Sequence, residues 1–150
     1  RMGPFAGWEM PIQYPDGLMA EHLHTRSAAS LFDVSHMGQV VLRPQQGTDR
    51  LAQSLEALTP ADILGIPEGR QRYALLTDDL GGVLDDLMVS NRGDHLFVVV
   101  NASMREADIA HLRGGMAGAT VEEVTDRALL ALQGPGAEAA LSGLLPEAAP

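Results

Sequence analysis

The sequence predicts an α+β fold: an antiparallel sheet with helices on one of its faces. Three observations lead to this class. From Met37 to Glu123 the elements read β-α-β-β-β-α-β. Two segments in that span, after Thr48 and after Ser103, place apolar residues at helical spacing. Short turns at Asp78–Gly82 and Asn91–Asp94 join three of the strands as hairpins.

The elements follow in order. Gly3 to Gly17 reads as irregular chain, with anchors at Phe5, Trp8 and Tyr14. Pro15-Asp16-Gly17 is a turn signal, after which Asp16 is expected to cap a helix over Leu18 to Ser30 with Leu18, Met19 and Leu23 on one side. Met37 to Leu42 reads as a strand around the β-branched Val40 and Val41. Pro44 to Gly47 turns the chain, and Thr48 caps a helix whose face is Leu51, Ala52, Leu55 and Leu58. A loop with Pro60, Gly65, Pro67 and Gly69 leads to a strand from Arg70 to Thr77. The return strand runs from Val83 to Ser90. "HLFVVVN" is an almost unbroken apolar run, which suits a central strand buried on both faces. Ser103 and Glu106 form a capping box for a helix with Ile109, Leu112 and Met116, ended by Gly114-Gly115. Short strands at Thr120–Glu123 and Ala128–Leu132 precede "QGPG", where Pro135 opens a last helix with Leu141, Leu144 and Leu145. Allowing one extra hairpin strand, the central order is the ferredoxin-like split βαβ pattern.

The 150 residues suffice for one ordinary domain or two small ones. Apolar content of 45% and charged content of 20% are a globular balance. A net charge of −10 argues against a nucleic-acid or anionic-membrane surface, because phosphate would repel the chain. The absence of cysteine removes disulfides, thiolate nucleophiles and cysteine metal sites, and fits a reducing compartment. No apolar run approaches a transmembrane length, and no signal peptide opens the chain. The opening "RMGPFAGWEM" and the ending "LSGLLPEAAP" both read as cut ends of a longer protein.

Asp85 and Asp86 stand side by side in "GGVLDDLMVS", where strands are poor in aspartate. Neighbouring strand side chains point to opposite faces, so the two are not expected to share a proton as a dyad. Exposure of both on an edge strand, discouraging aggregation, is the structural alternative. Tyr73 lies in the strand expected to pair with that of Asp86, and Asn101 ends the most hydrophobic strand. A carboxylate, an amide and a phenol around an apolar wall suit a flat heterocycle with ring N–H groups, although Asn101 could instead bridge backbone. The five histidines show no zinc spacing, Ser35 and Ser103 lack a nucleophile elbow, and no phosphate-loop motif occurs. No metal site is expected.

"FAGWEMPIQY", "LFDVSHMG", "GGVLDDLMV", "VVVNAS" and "LALQGP" occur in this order along essentially the whole chain. Together they resemble the aminomethyltransferase, or T-protein, family of the glycine cleavage system. The resemblance implies an N-terminal portion of a protein more than twice this length. It implies a first folate-binding domain built in part from residues 1–36 and 124–150, a ferredoxin-like domain over 37–123, and a C-terminal domain absent from this chain. It further implies tetrahydrofolate as co-substrate and a lipoylated H-protein as partner. Ammonia is released and methylenetetrahydrofolate formed. Asp86 matches the family's key carboxylate, Tyr73 and Asn101 match pterin-pocket positions, and Met37 and Val99 match apolar wall positions. Cytoplasmic location is expected, or the mitochondrial matrix in a eukaryote, with no nucleic-acid or membrane partner. Competing readings are a non-catalytic folate-binding relative, the folate domain of a sarcosine or dimethylglycine dehydrogenase, and a fragment inactive on its own.

Overall fold

A computed structural model describes residues 1–146 of the chain. The chain divides into two compact units, one formed by Arg1–His36 with the chain from Ala128 onward, the other by Met37–Arg127.

The second unit contains β4 (Gly38–Pro44), α2 (Thr48–Glu56), β5 (Gln71–Thr77), β6 (Val83–Asn91), β7 (Leu96–Val100), α3 (Arg105–Gly115) and β8 (Ala119–Glu123). This is the predicted element order. The strands form one sheet in the order β5-β6-β7-β4-β8, antiparallel throughout. The four strands β8-β4-β7-β6 make the split βαβ core, and β5 is the extra hairpin strand, added at the edge beyond β6.

Period-two alternation assigns the two faces. Val40 and Leu42 of β4, Ala74 and Leu76 of β5, Leu87 and Val89 of β6, and Val98 and Val100 of β7 are buried in one cluster. Leu51, Ala52 and Leu55 of α2 and Ile109 and Leu112 of α3 complete that cluster, so both helices cover this face. Each fully buried Leu or Val contributes about 1.5–3 kcal/mol. β7 lies at the centre of the sheet, as the sequence predicts, but it is not buried on both faces: Leu96, Val98 and Val100 are buried, while Phe97 and Val99 are only partly covered. The opposite face carries no helix of this unit, so an apolar run does not by itself report two covered faces. The unit also extends past the predicted boundary at 123. The Val124 amide donates to the Gln39 carbonyl at 2.9 Å, and Gln39 Nε2 donates to the Arg127 carbonyl at 3.0 Å.

The first unit is built differently. Residues expected to be irregular form a hairpin, β1 (Met2–Phe5) with β2 (Trp8–Pro11), in register Phe5↔Trp8. Its two-residue turn places Ala6 at φ 49° and Gly7 at φ 84°, the positive-φ geometry of hairpin turns. Phe5, Trp8 and Tyr14 are exposed rather than anchoring. α1 (Leu18–Ser27) stops short of Ser30 and buries no residue. β3 (Ser30–Asp33), not foreseen, pairs with β9 (Leu130–Gln133), and α4 (Ala137–Leu144) follows. The predicted Ala128–Leu132 strand thus starts two residues later and ends one residue later.

Candidate functional site

The site is set by strand parity on the helix-free face of the five-stranded sheet. Asp86 and Met88 of β6 share that face with Tyr73 and Leu75 of β5 and Val99 of β7. Leu75 lies opposite Asp86, Tyr73 opposite Met88, and Met88 opposite Val99. Asn101 directly follows β7, and continuation of the Gly38↔Val100 register sets Met37 beside Asn101. The five residues singled out in the sequence, Asp86, Tyr73, Asn101, Met37 and Val99, therefore fall at one end of one face.

Asn101 is the junction. Its Nδ2 donates to Asp86 Oδ1 at 3.1 Å, to the Asp86 carbonyl at 3.2 Å and to Asp85 Oδ1 at 3.1 Å. A side-chain amide nitrogen carries two hydrogens, so these three acceptors share them. Asp86 lies on the same side as Tyr73, two residues along the paired strand. Tyr73 has its phenol raised above its ordinary value, first by hydrogen bonding to Asp86, then by desolvation and the charges of Asp86 and Asp85. An exposed phenol and a half-buried carboxylate thus face the same space.

Asp85 and Asp86 do lie on opposite faces, as alternation requires. Neither is exposed on an edge strand, because β6 is an inner strand between β5 and β7. Asp85 belongs to the helix-covered face with Leu87 and Val89. There it meets Asp108 of α3, which is 2% exposed. Burial first, then hydrogen bonding to Asp85 and the charges of Asp85 and Asp86, push the Asp108 carboxyl up to about 7. Sequence reasoning does not single out Asp108. The available signal is its place four residues before Leu112, on the apolar stripe of α3 where a carboxylate is out of pattern. Among the described residues, no group of three His, Asp or Glu side chains could hold a metal ion, and no helix is long and apolar enough to cross a membrane.

Fold and site define a class: an α+β protein of split βαβ topology that carries a carboxylate, an amide and a phenol on the sheet face without a helix of this unit. The comparisons resolve it further. The family model "GCVT N-terminal domain" matches residues 1–149, and the chain belongs to that family. It is 47% identical over 141 residues to the aminomethyltransferase of Rubrobacter xylanophilus, covering 92% of this chain and 37% of that protein. It is 41% identical over 150 residues to the mitochondrial aminomethyltransferase of Dictyostelium discoideum, covering 94% of this chain and 36% of that protein. The crystal structure of glycine cleavage system aminomethyltransferase T from Bartonella henselae matches with a TM-score of 0.85 and 38% identity, over 95% of this chain and 39% of that one. The chain spans a little over a third of the length of these relatives.

Proposed function

We propose that this chain is the N-terminal part of an aminomethyltransferase that moves a methylene group from an aminomethyl-dihydrolipoyl carrier protein to tetrahydrofolate, releasing ammonia. The observation that carries the reading is the Asp86–Asn101 hydrogen bond on the sheet face that also holds Tyr73, Met37 and Val99. Names of the relatives reported above favour transfer over a non-catalytic folate binder or a dehydrogenase folate domain.

In this reading Asp86 is the catalytic carboxylate. Each new bond from a folate nitrogen to the methylene carbon replaces one that breaks, to the departing ammonia or to the lipoyl sulfur left as a thiol, and the attacking nitrogen gains positive charge as its bond forms. A carboxylate within hydrogen-bond reach both positions that nitrogen and stabilises the charge. Asn101 fixes the carboxylate's rotamer by binding Asp86 Oδ1. Tyr73 supplies a polar edge, and Val99 and Met37 supply apolar wall for the flat pterin. The lipoylated H-protein is the carrier, and the setting is a bacterial cytoplasm or a mitochondrial matrix. The unit containing Arg1–His36 belongs to a first folate-binding domain completed by residues beyond this chain.

The test compares Asp86→Asn with Asp85→Asn in the full-length protein, assayed for methylenetetrahydrofolate formation. Asp86→Asn is expected to lose about 100-fold in turnover, about 3 kcal/mol of barrier, and Asp85→Asn much less. Equal losses would refute the assignment of Asp86.

A further inference from the structure

We infer that Asp85 and Asp108 hold one proton between them on the buried face of the sheet, and that this pair positions the Asn101 amide that grips Asp86. The positioning role rests on the function proposed above; the shared proton does not.

The geometry is one of unmet hydrogen bonds. Asp85 Oδ2 and Asp108 Oδ2 are both buried and neither has a hydrogen-bond partner among the described residues. Two ionised carboxylates cannot satisfy one another, since both only accept. Leaving both charged, each with a buried oxygen that lacks a donor, is unfavourable. One proton removes a charge and supplies the missing donor, so both groups are satisfied at once. Asp85 is thereby fixed with its other oxygen, Oδ1, against Asn101 Nδ2 at 3.1 Å. The same nitrogen holds Asp86 Oδ1 at 3.1 Å. A continuous path then runs from α3 through Asp108, Asp85 and Asn101 to the carboxylate on the opposite face.

Among the described residues, no other group in the surroundings takes over the task. On β6, Asp85 and Asp86 are the charges that act on Asp108. On β8, Glu123 accepts from Arg105 Nη2 at 2.7 Å, so that guanidinium, one turn before Asp108, is engaged. β7 contributes no charged residue. α2 contributes Leu51, Ala52 and Leu55 to the core, and the Glu56 carboxylate is held by the amides of Ile63 and Leu64 at 2.8 Å. His111, three residues along α3, keeps a buried Nε2 without a partner and is not among the groups that shift Asp108.

The experiment is a carboxyl-carbon NMR titration of the full-length protein with labelled aspartate, read together with the Asn101 side-chain amide. We expect the Asp108 carboxyl to stay protonated at pH 5.5 and to ionise near pH 7, with the Asn101 amide shifting through the same step. In Asp108→Asn the amide shift should lose that step, because the asparagine N–H replaces the O–H donor and does not titrate. An Asp108 carboxyl that ionises near pH 4, or an Asn101 amide blind to the step, overturns the inference whatever the protein catalyses. Kinetics supply the second readout. Asp108→Ala should lower kcat about tenfold through the freed Asp85, with KM for tetrahydrofolate little changed and Asp108→Asn recovering most of the loss. No rescue by Asn would reduce Asp108 to a packing residue and overturn the positioning role.

Discussion

Tyr73 and Asp86 are offset by two residues on paired strands, and their coupling is a property of two residues rather than of the fold. Hydrogen bonding to the Asp86 carboxylate first, then desolvation and the negative charges of Asp86 and Asp85, disfavour the phenolate and hold the phenol above its ordinary value of 10.0. The sign follows directly. Asp86→Asn removes the carboxylate's charge and weakens the hydrogen bond the phenol donates to it, so Tyr73 should ionise at lower pH in Asp86→Asn than in the parent protein. Tyrosine ring-carbon NMR of the full-length protein checks this. A Tyr73 titration unmoved by Asp86→Asn would show that the two side chains do not meet. At this scale the sequence was partly legible. Asp86, Tyr73 and Asn101 could be picked out as polar residues in strands, and alternation separated Asp86 from Asp85. The bridging of both aspartates by one amide was not legible, because it depends on the register Leu87↔Val100, which joins segments from opposite ends of a hairpin.

Elements were predicted best where a helix and its apolar face coincide, and worst where the local chain is polar or glycine-rich. All three predicted side-chain caps fail. α1 and α2 are preceded by Gly17 and Gly47, and α3 by Met104, with no side-chain cap hydrogen bond at any of them. Asp16, Thr48 and Ser103 each sit one residue away from the position that can reach the free amides. The β1–β2 hairpin was missed because Ala6 is not a turn residue by composition, although it adopts positive φ. β3 was missed because its partner, β9, lies about a hundred residues on in the sequence. One glycine governs that region. Gly134 has φ 119°, and an added Cβ would collide with the Ala28 carbonyl and lie 2.5 Å from the Thr25 carbonyl oxygen. Backbone atoms cannot swing aside as a side chain can. Gly134→Ala should therefore destabilise the full-length protein by about 2 kcal/mol or more, read by urea unfolding. A change below 0.5 kcal/mol, the usual range for a neutral surface substitution, would show that the loop relaxes freely.

At the scale of the whole molecule the two units differ in how they are held. The unit of Met37–Arg127 contains the buried cluster, from Val40 to Met116. The other unit leaves Phe5, Trp8, Leu18, Met19, Leu23, Leu31 and Phe32 exposed, and neither α1 nor α4 buries a residue. Local stability follows buried apolar contact. Hydrogen exchange of the 150-residue chain should therefore find β4 and β7 far slower than β1, β2 and α1. Equal protection in α1 and β7 would mean that the first unit is stabilised by something other than apolar burial.

The sequence by itself determined the α+β class, the element order from Met37 to Glu123, the family resemblance and the polar residues worth watching. It could do so because periodicity, turn residues and short motifs are local, and each can be read within a few neighbours. Only the tertiary structure decided which face of the sheet the helices cover, that β6 is internal, and that Asp85 meets Asp108 beneath it. Those facts rest on strand pairing and helix packing between residues distant in the chain. Burial is a consequence of that packing, and burial is the first cause that pushes the carboxyl of an aspartate on a helix upward.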